Sequence, residues 1–450
     1  MVEAPSRRGA ARQGVEDLPA AIELLPSGPI DARLAAPASK SVTNRVLLCA
    51  ALADGGSRLR GATASDDADA MAAGLRQLGA TVRPGRDAWL VGGVAGRPAS
   101  PDRPLDARLS GTTMRFLAAV ATLTPAGATI GGAAALLRRP VGPLVAALRS
   151  LGAEVADHAG FPPVTAAGGG LGGGDASVDT GRSSQFASAV LLVAPYAGRP
   201  VRLRAERLAA AGYVELTAAL MRDFGAGVER TGEAEWRVQA GRPYRAGELE
   251  VEYDASAAAH LFALAAATGG SVTVTNAHQG TLQPDAGLPG LLAEMGATVA
   301  RDGPALTVRG PAALAPVDAD LAAMPDQVTT VAALAAVAGG VSRIRGVAVT
   351  RGHETDRLAA LAVELAKLGV AVEELPDGLV VRGALPGGPR PARLATHGDH
   401  RMAMALAAVA ARVPGLVIED PGCVAKTYPG FWRDLAAGGL RWRARPGPVQ

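Results

Sequence analysis

LRQLGATV (75–82), LRSLGAEV (148–155), MRDFGAGV (221–228), AEMGATV (293–299) and LAKLGVAV (365–372) are variants of one phrase, repeated along a chain of 450 residues. Each reads as the last turn of an amphipathic helix, a glycine that stops it, and the start of a β-strand. The glycines, Gly79, Gly152, Gly225, Gly296 and Gly369, recur every 71–73 residues. Gly439, behind FWRDLAA, stands 70 residues further on as a weaker sixth copy.

A second series keeps step with the first. SKSVTNRVLLCAALA, SGTTMRFLAAVATL, SSQFASAVLLVAPYA, DASAAAHLFALAAA, PDQVTTVAALAAVA and GDHRMAMALAAVAA each pass from polar residues into an alanine-rich apolar helix. Ser41, Ser110, Ser183, Asp254, Asp326 and Asp399 anchor them, and all are residue types that cap helix N-termini. Helices apolar all round belong inside a protein. VRLRA (201–205), SVTVTN (271–276) and GLVVRG (378–383) read as strands. The expected fold is α/β: six units of about 72 residues, two helices and several strands in each, grouped as two lobes of three.

Composition excludes several alternatives. Hydrophobic residues make up 48% and charged residues 19%, so the chain folds. Its length predicts two to three domains. No apolar run reaches the roughly eighteen residues that a membrane span needs. MVEAPSRRGAARQGVEDLPA (1–20) lacks the apolar core of a signal peptide and is expected to be a disordered tail, with the cytoplasm as the compartment. Cys49 and Cys423 are the only cysteines, which excludes a disulfide framework. A net charge of +3, scattered arginines and 3% aromatics exclude a nucleic-acid platform. GGGLGGG (168–174) is expected to be a flexible loop; no helix pattern follows it, so it is not a dinucleotide fingerprint.

The helix starts carry the chemistry. A helix N-terminus offers free N–H donors and a partial positive charge. Here it also carries cations: Lys40 and Arg45 in the first, Arg115 in the second, Arg401 in the sixth, with Arg139 in LLRRPVG, Arg357 in RGHETDRL and Lys426 in VAKTYPGF. Of 45 basic residues only Lys40, Lys367 and Lys426 are lysines. Lys367 reads as an ordinary surface residue; Lys40 and Lys426 stand where a compact ammonium is wanted. If the buried helices aim their starts at one cleft between lobes, that cleft suits two multiply anionic ligands. His353, Glu354 and Asp356, like His397, Asp399 and His400, do not follow a zinc-ligand spacing, and no metal is expected.

SKSVTNR, SGTTMR, RRPVGPL, SSQF, MPDQ, RGHETDRL, GDHRMAM and AKTYP together resemble the enolpyruvyl transferase family, most closely its shikimate-pathway branch, over residues 25–436. The resemblance implies a two-lobed inside-out α/β barrel of six βαβαββ units. One lobe takes 21–38 with 254–450 and the other 39–253, with hinges near 36–40 and 251–255. It implies transfer of the enolpyruvyl group of phosphoenolpyruvate to the 5-hydroxyl of shikimate 3-phosphate, with release of phosphate through a tetrahedral ketal, by a monomer without cofactor. Asp326 and Glu354 become the expected acid–base pair, with Lys40 and His353 beside them. Lys40, Ser41, Arg45, Ser183, Ser184, Gln185, Tyr213, Asp326 and His353 are expected to hold shikimate 3-phosphate. Lys40, Gly111, Thr112, Arg115, Arg139, Gln185, Glu354, Arg357, Arg401 and Lys426 are expected around phosphoenolpyruvate. As the acid, Glu354 needs a raised proton affinity.

The chain departs from the family pattern at five positions. Ala210 replaces a serine, Gly212 a proline, Leu109 and Val349 asparagines, and His353 a lysine. These changes fall mostly on the acceptor side. They leave open a relative that acts on another alcohol, such as UDP-N-acetylglucosamine. Against that stands Ala134, where the UDP-sugar enzymes carry a loop cysteine six residues before the proline, here Pro140. A non-catalytic binding paralogue is opposed by the retention of Lys40, Asp326, Glu354, Arg357, Arg401 and Lys426.

Overall fold

A computed structural model describes residues 18–25, 28–383 and 390–447; residues 1–17, most of the stretch read as a tail, lie outside them. The six repeat glycines all adopt φ between +83° and +98°, a left-handed conformation that a Cβ opposes and that ends a helix. A strand begins within three residues of each: Thr81–Arg83, Val155–His158, Val228–Gly232, Thr298–Asp302, Ala371–Leu375 and Arg441–Arg445. Gly439 is thus a full copy of the phrase despite its weaker sequence.

Among the described residues the strands form six four-stranded sheets on one plan. An outer strand pairs in parallel with the next. That strand pairs antiparallel with a third, which pairs antiparallel with the strand that follows the repeat glycine. Three sheets take a strand from a distant part of the sequence. Ala21–Leu25 lies between Val417–Glu419 and Arg441–Arg445. Asp31–Leu34 pairs with Ser271–Val274, and Glu248–Glu250 pairs with Gly56–Arg60.

The chain divides into two compact units. The first comprises the described part of Met1–Pro37, with Tyr253–Gly280 and Asp285–Gln450; the second comprises Ala38–Glu252 and Thr281–Pro284. Each has three of the sheets and its own buried apolar core. The alanine-rich helices fill these cores. Every residue of Gly111–Ala121 is buried, as are all but the last of Val328–Val337 and of His400–Arg412. A helix with no wet face must satisfy its polar start inside the protein or on a ligand. Among the described residues no helix is long and apolar enough to cross a membrane.

Three of the six anchors cap their helices: Ser110, Asp254 and Asp399 each accept a backbone N–H of the first turn. The others differ. Ser39, not Ser41, caps the first helix. In the helix Gln185–Val193 Ser184 stands at the N-cap without a side-chain bond, and Ser183 Oγ, one residue earlier, accepts the Gln185 N–H at 3.3 Å. Asp326 lies in a 3-10 turn, Pro325–Gln327, and its carboxylate is taken by cationic side chains. GGGLGGG is not a free loop. The N–H groups of Gly169, Gly170 and Gly172 bond Thr124, Thr122 and Leu151 carbonyls at 2.9, 2.7 and 2.8 Å. A Cβ at Gly168 would fall 2.3 Å from the Thr124 oxygen. Glycine is used there for close backbone approach, not for mobility.

Candidate active site

In the first unit, three short turns and two helix starts bring six of the expected site residues together. Arg357 opens the helix Arg357–Lys367, and its side chain is 1% exposed. Its Nε donates to Asp399 Oδ2 at 2.8 Å and its Nη2 to Asp399 Oδ1 at 3.3 Å. Nη1 reaches Asp326 Oδ1 at 2.6 Å and His353 Nδ1 at 3.1 Å, and Nη2 also reaches Glu354 Oε2 at 3.1 Å. All five guanidinium N–H donors therefore face protein groups. Arg401 Nη2 donates to Asp326 Oδ2 at 3.1 Å, and Lys426 Nζ lies 2.8 Å from Glu354 Oε1. His353 Nδ1 is 3.3 Å from Asp326 Oδ1. Three carboxylates and three cations balance.

Burial alone would raise the Asp326 carboxyl, but Arg401, His353 and Arg357 hold it well below the usual carboxylate range. Glu354 has a cation on each oxygen. The raised proton affinity expected of Glu354 thus requires that these cations first turn to another anion.

Two buried imidazoles flank the cluster. Burial, with Arg401 and Arg357 adding, pushes His260 well below its ordinary value. Burial does the same to His400, with Glu354 opposing and Arg401, Lys426 and Arg357 adding. The folded protein prefers both rings neutral, while the unfolded chain protonates them near pH 6.5. Their contribution is complete above that pH and is lost as pH falls below it, because the unfolded state then binds more protons. Each ring adds a slope of up to about 1.4 kcal/mol per pH unit. Urea midpoints should therefore drop between about pH 6.5 and 5, and His260→Gln should flatten the drop. A flat midpoint in the wild type would contradict neutral burial.

The second unit holds three smaller constellations. Arg115 Nη1 donates to Gln185 Oε1 at 2.7 Å and Ser183 Oγ at 3.3 Å. Gln185 Nε2 donates to Thr112 Oγ1 at 3.1 Å. A Cβ built on Gly111 would lie 3.3 Å from both Arg115 Nη1 and Arg139 Nη1, so two guanidinium groups converge beside this bare backbone. Around Arg45, Nε donates to Thr217 Oγ1 at 2.7 Å and Nη1 to the Ser41 carbonyl at 2.9 Å. Its guanidinium carbon lies 5.9 Å from the Tyr213 ring centre, close enough for a cation–π contact. Burial brings Arg45 down to about 10. Lys40 Nζ sits 3.2 Å from Asp67 Oδ2, a carboxylate only 3% exposed. Ser184 is buried at its helix start.

Ala210 adopts φ +48° at the N-cap of Ala211–Asp223 and supplies no side-chain cap. The serine that the family pattern wants there would have offered a hydroxyl.

Four functional neighbours escaped the sequence reading. Asp399 was read only as a cap, yet it pairs with Arg357 as well as accepting the Arg401 N–H at 2.9 Å. Asp67, Ser188 and Thr217 hold Lys40 and Arg45. An Asp two residues before an Arg at a buried helix start was the available signal for Asp399; nothing local marked the others. Among the described residues no group of three or more His, Cys, Asp and Glu side chains is placed to hold a metal ion.

Comparison with known proteins places this arrangement. Residues 24–435 match the family model of EPSP synthase (3-phosphoshikimate 1-carboxyvinyltransferase). A 3-phosphoshikimate 1-carboxyvinyltransferase of Methanoculleus marisnigri is 40% identical over 92% of this chain and 98% of its own. One of Syntrophobacter fumaroxidans is 42% identical over 90% and 97%. The fold matches EPSP synthase of Acinetobacter baumannii with a TM-score of 0.79 at 24% identity, covering 94% of this chain and 99% of that one. It also matches the enolpyruvyl transferase NikO of Streptomyces tendae with a TM-score of 0.77 at 19% identity, covering 95% and 99%. The chain belongs to the EPSP synthase family.

Proposed function

We propose that this protein transfers the enolpyruvyl group of phosphoenolpyruvate to the 5-hydroxyl of shikimate 3-phosphate and releases inorganic phosphate. The six four-stranded units are, in this reading, the repeats of an inside-out α/β barrel. The observation that carries the proposal is the first unit's cluster: Asp326 and Glu354 on one buried guanidinium, each with a further cation. The relatives named 3-phosphoshikimate 1-carboxyvinyltransferase, matched over at least 97% of their length, support this acceptor over another alcohol.

The reaction adds an O–H across a C=C bond. The hydroxyl oxygen bonds to C2 of phosphoenolpyruvate while C3 takes a proton. The ketal then loses phosphate from C2 and a proton from C3, restoring the double bond. Glu354 is the proton donor to C3, and Asp326 receives or orients the hydroxyl proton. Without substrate, both carboxylates occupy the cations that substrate anions need. When the donor's phosphate and carboxylate claim Lys426 and Arg401, both side-chain carboxylates lose a positive partner and gain proton affinity. Binding thus prepares the acid and the base together. Arg115, Arg139 and the Gly111 backbone supply further donors for the donor anion. Ser41, Arg45, Ser183, Ser184 and Tyr213 serve the acceptor.

The deciding experiment measures phosphate release from purified protein with both substrates, then with each omitted in turn. Release that does not depend on shikimate 3-phosphate would remove this acceptor. Gly111→Ala gives a second check. Its methyl group would press on two guanidinium ends at 3.3 Å, which must give by a few tenths of an ångström. The expected result is a several-fold rise in KM for phosphoenolpyruvate with little change for the acceptor. An unchanged donor KM contradicts the placement of Gly111.

A further inference from the structure

The helix Arg357–Lys367 grips one loop at two points, and only the first belongs to the cluster above. Arg357 holds Asp399. Seven residues on, two turns along and on the same side, Glu364 is 1% exposed and uses both oxygens. Oε2 accepts the Ala395 N–H at 2.9 Å and Lys367 Nζ at 2.6 Å; Oε1 lies 2.9 Å from His397 Nε2. Lys367, read from sequence as ordinary, is thus one partner of a buried carboxylate. The loop Ala395–Asp399 is fixed from this one helix at positions 395, 397 and 399.

His397 keeps an uncommon conformation to do so. Its φ is +54°, a left-handed geometry that costs a residue with a Cβ roughly 1–2 kcal/mol. Its side chain is 33% exposed, so core packing does not demand the ring there. What the conformation does is put Nε2 on Glu364. The next residues are Gly398, also at positive φ (+68°), and Asp399, whose N–H closes onto the Thr396 carbonyl at 2.9 Å. Asp399 then sets the first turn of His400–Arg412 by accepting the Arg401 N–H, and Arg401 reaches Asp326.

We infer that Glu364 and His397 are a positioning pair: by pinning the loop ahead of Asp399 they set where the Arg401 guanidinium is presented, and so how tightly phosphoenolpyruvate is held. Neither residue touches substrate. The inference rests on the reading of Arg401 as a ligand of that donor.

Three forms of the full-length protein test it: wild type, His397→Gly and His397→Gln. Glycine removes the imidazole and relieves the left-handed strain, so its melting temperature should hold or rise. Glutamine keeps a side-chain N–H at about the reach of Nε2. The KM for phosphoenolpyruvate, measured by phosphate release at saturating shikimate 3-phosphate, should be about tenfold higher for His397→Gly with turnover little changed, the scale of one lost charge-assisted hydrogen bond. His397→Gln should reverse most of the rise. An equal KM in all three, or a glutamine form as weak as the glycine form, overturns the pair. If the glycine form does not fold, Glu364→Gln, which keeps an acceptor for the Ala395 N–H, is read in its place. Amide exchange at Arg401 reports the loop without any substrate. It should be about tenfold faster in His397→Gly, and unchanged exchange refutes the pair by itself. A wild type that releases no phosphate from the two substrates, with exchange altered as stated, would instead refute the functional reading and leave the pair standing.

Discussion

Arg357→Met should destabilise the unit that contains it by about 3–5 kcal/mol, the range for removing one partner from a buried ionic network. The loss is not shared equally. Asp326 keeps Arg401 and His353, and Glu354 keeps Lys426. Asp399 has no exposure and keeps only the backbone N–H of Arg401 among the bonds described above. Its desolvated charge then dominates the cost. Asparagine caps helices as well as aspartate does, so adding Asp399→Asn removes the stranded charge while retaining the cap. The double variant should be more stable than Arg357→Met alone, and a double-mutant cycle should return a coupling of more than about 1 kcal/mol. Urea unfolding of the four proteins near neutral pH measures it. A double variant less stable than Arg357→Met would show that Arg357 is not there for Asp399. The acid limb gives the same test a sign. Asp326 is depressed in the folded state, so its contribution is present above about pH 4 and is lost as pH falls further. Arg357→Met should shrink that loss.

The same residues show what the sequence could and could not disclose. A repeat glycine is legible because one backbone conformation excludes other residues; five, with the strands behind them, follow from the repeated phrase and its spacing, and Gly439 from a weaker copy of it. The strand exchanges that place Ala21–Leu25 in the C-terminal sheet were not, since nothing within a five-residue strand records a partner four hundred residues away. The anchors divide in an informative way. Ser110, Asp254 and Asp399 cap as their type suggests; Asp326 does not. A carboxylate excused from capping at a buried helix start has to be paired elsewhere, and its partners are Arg357 and Arg401. The cations stood out in the sequence because they sit in polar words. Their buried counter-ions, Asp67 and Asp399, did not, because an acidic residue at a helix cap or in a first turn ordinarily needs no special explanation. GGGLGGG misled for the opposite reason: glycine permits mobility and close approach alike, and only the neighbouring carbonyls decide between them.

Glu354→Gln should separate chemistry from binding. The side chain keeps its length and an acceptor oxygen but cannot supply a proton to carbon. Losing a positioned general acid costs roughly 10²–10⁴-fold in turnover, and phosphate release should fall by that amount. Binding should move the other way. In the resting molecule Glu354 holds Lys426 at 2.8 Å and Arg357 at 3.1 Å, so it competes with an incoming anion for at least one of them. The neutral amide competes less, and KM for phosphoenolpyruvate should hold steady or fall. Lys426→Met, which removes the cation itself, should raise that KM. The opposed directions matter more than either magnitude. A residue that only braced the turn would weaken binding and turnover together, and so would a misfolded variant. Steady-state kinetics of the two proteins, with the donor varied at saturating acceptor, separates these cases. Near-normal turnover in Glu354→Gln would mean that the proton on C3 comes from elsewhere. A KM that rises in step with the loss of turnover would mean that Glu354 holds substrate and donates nothing.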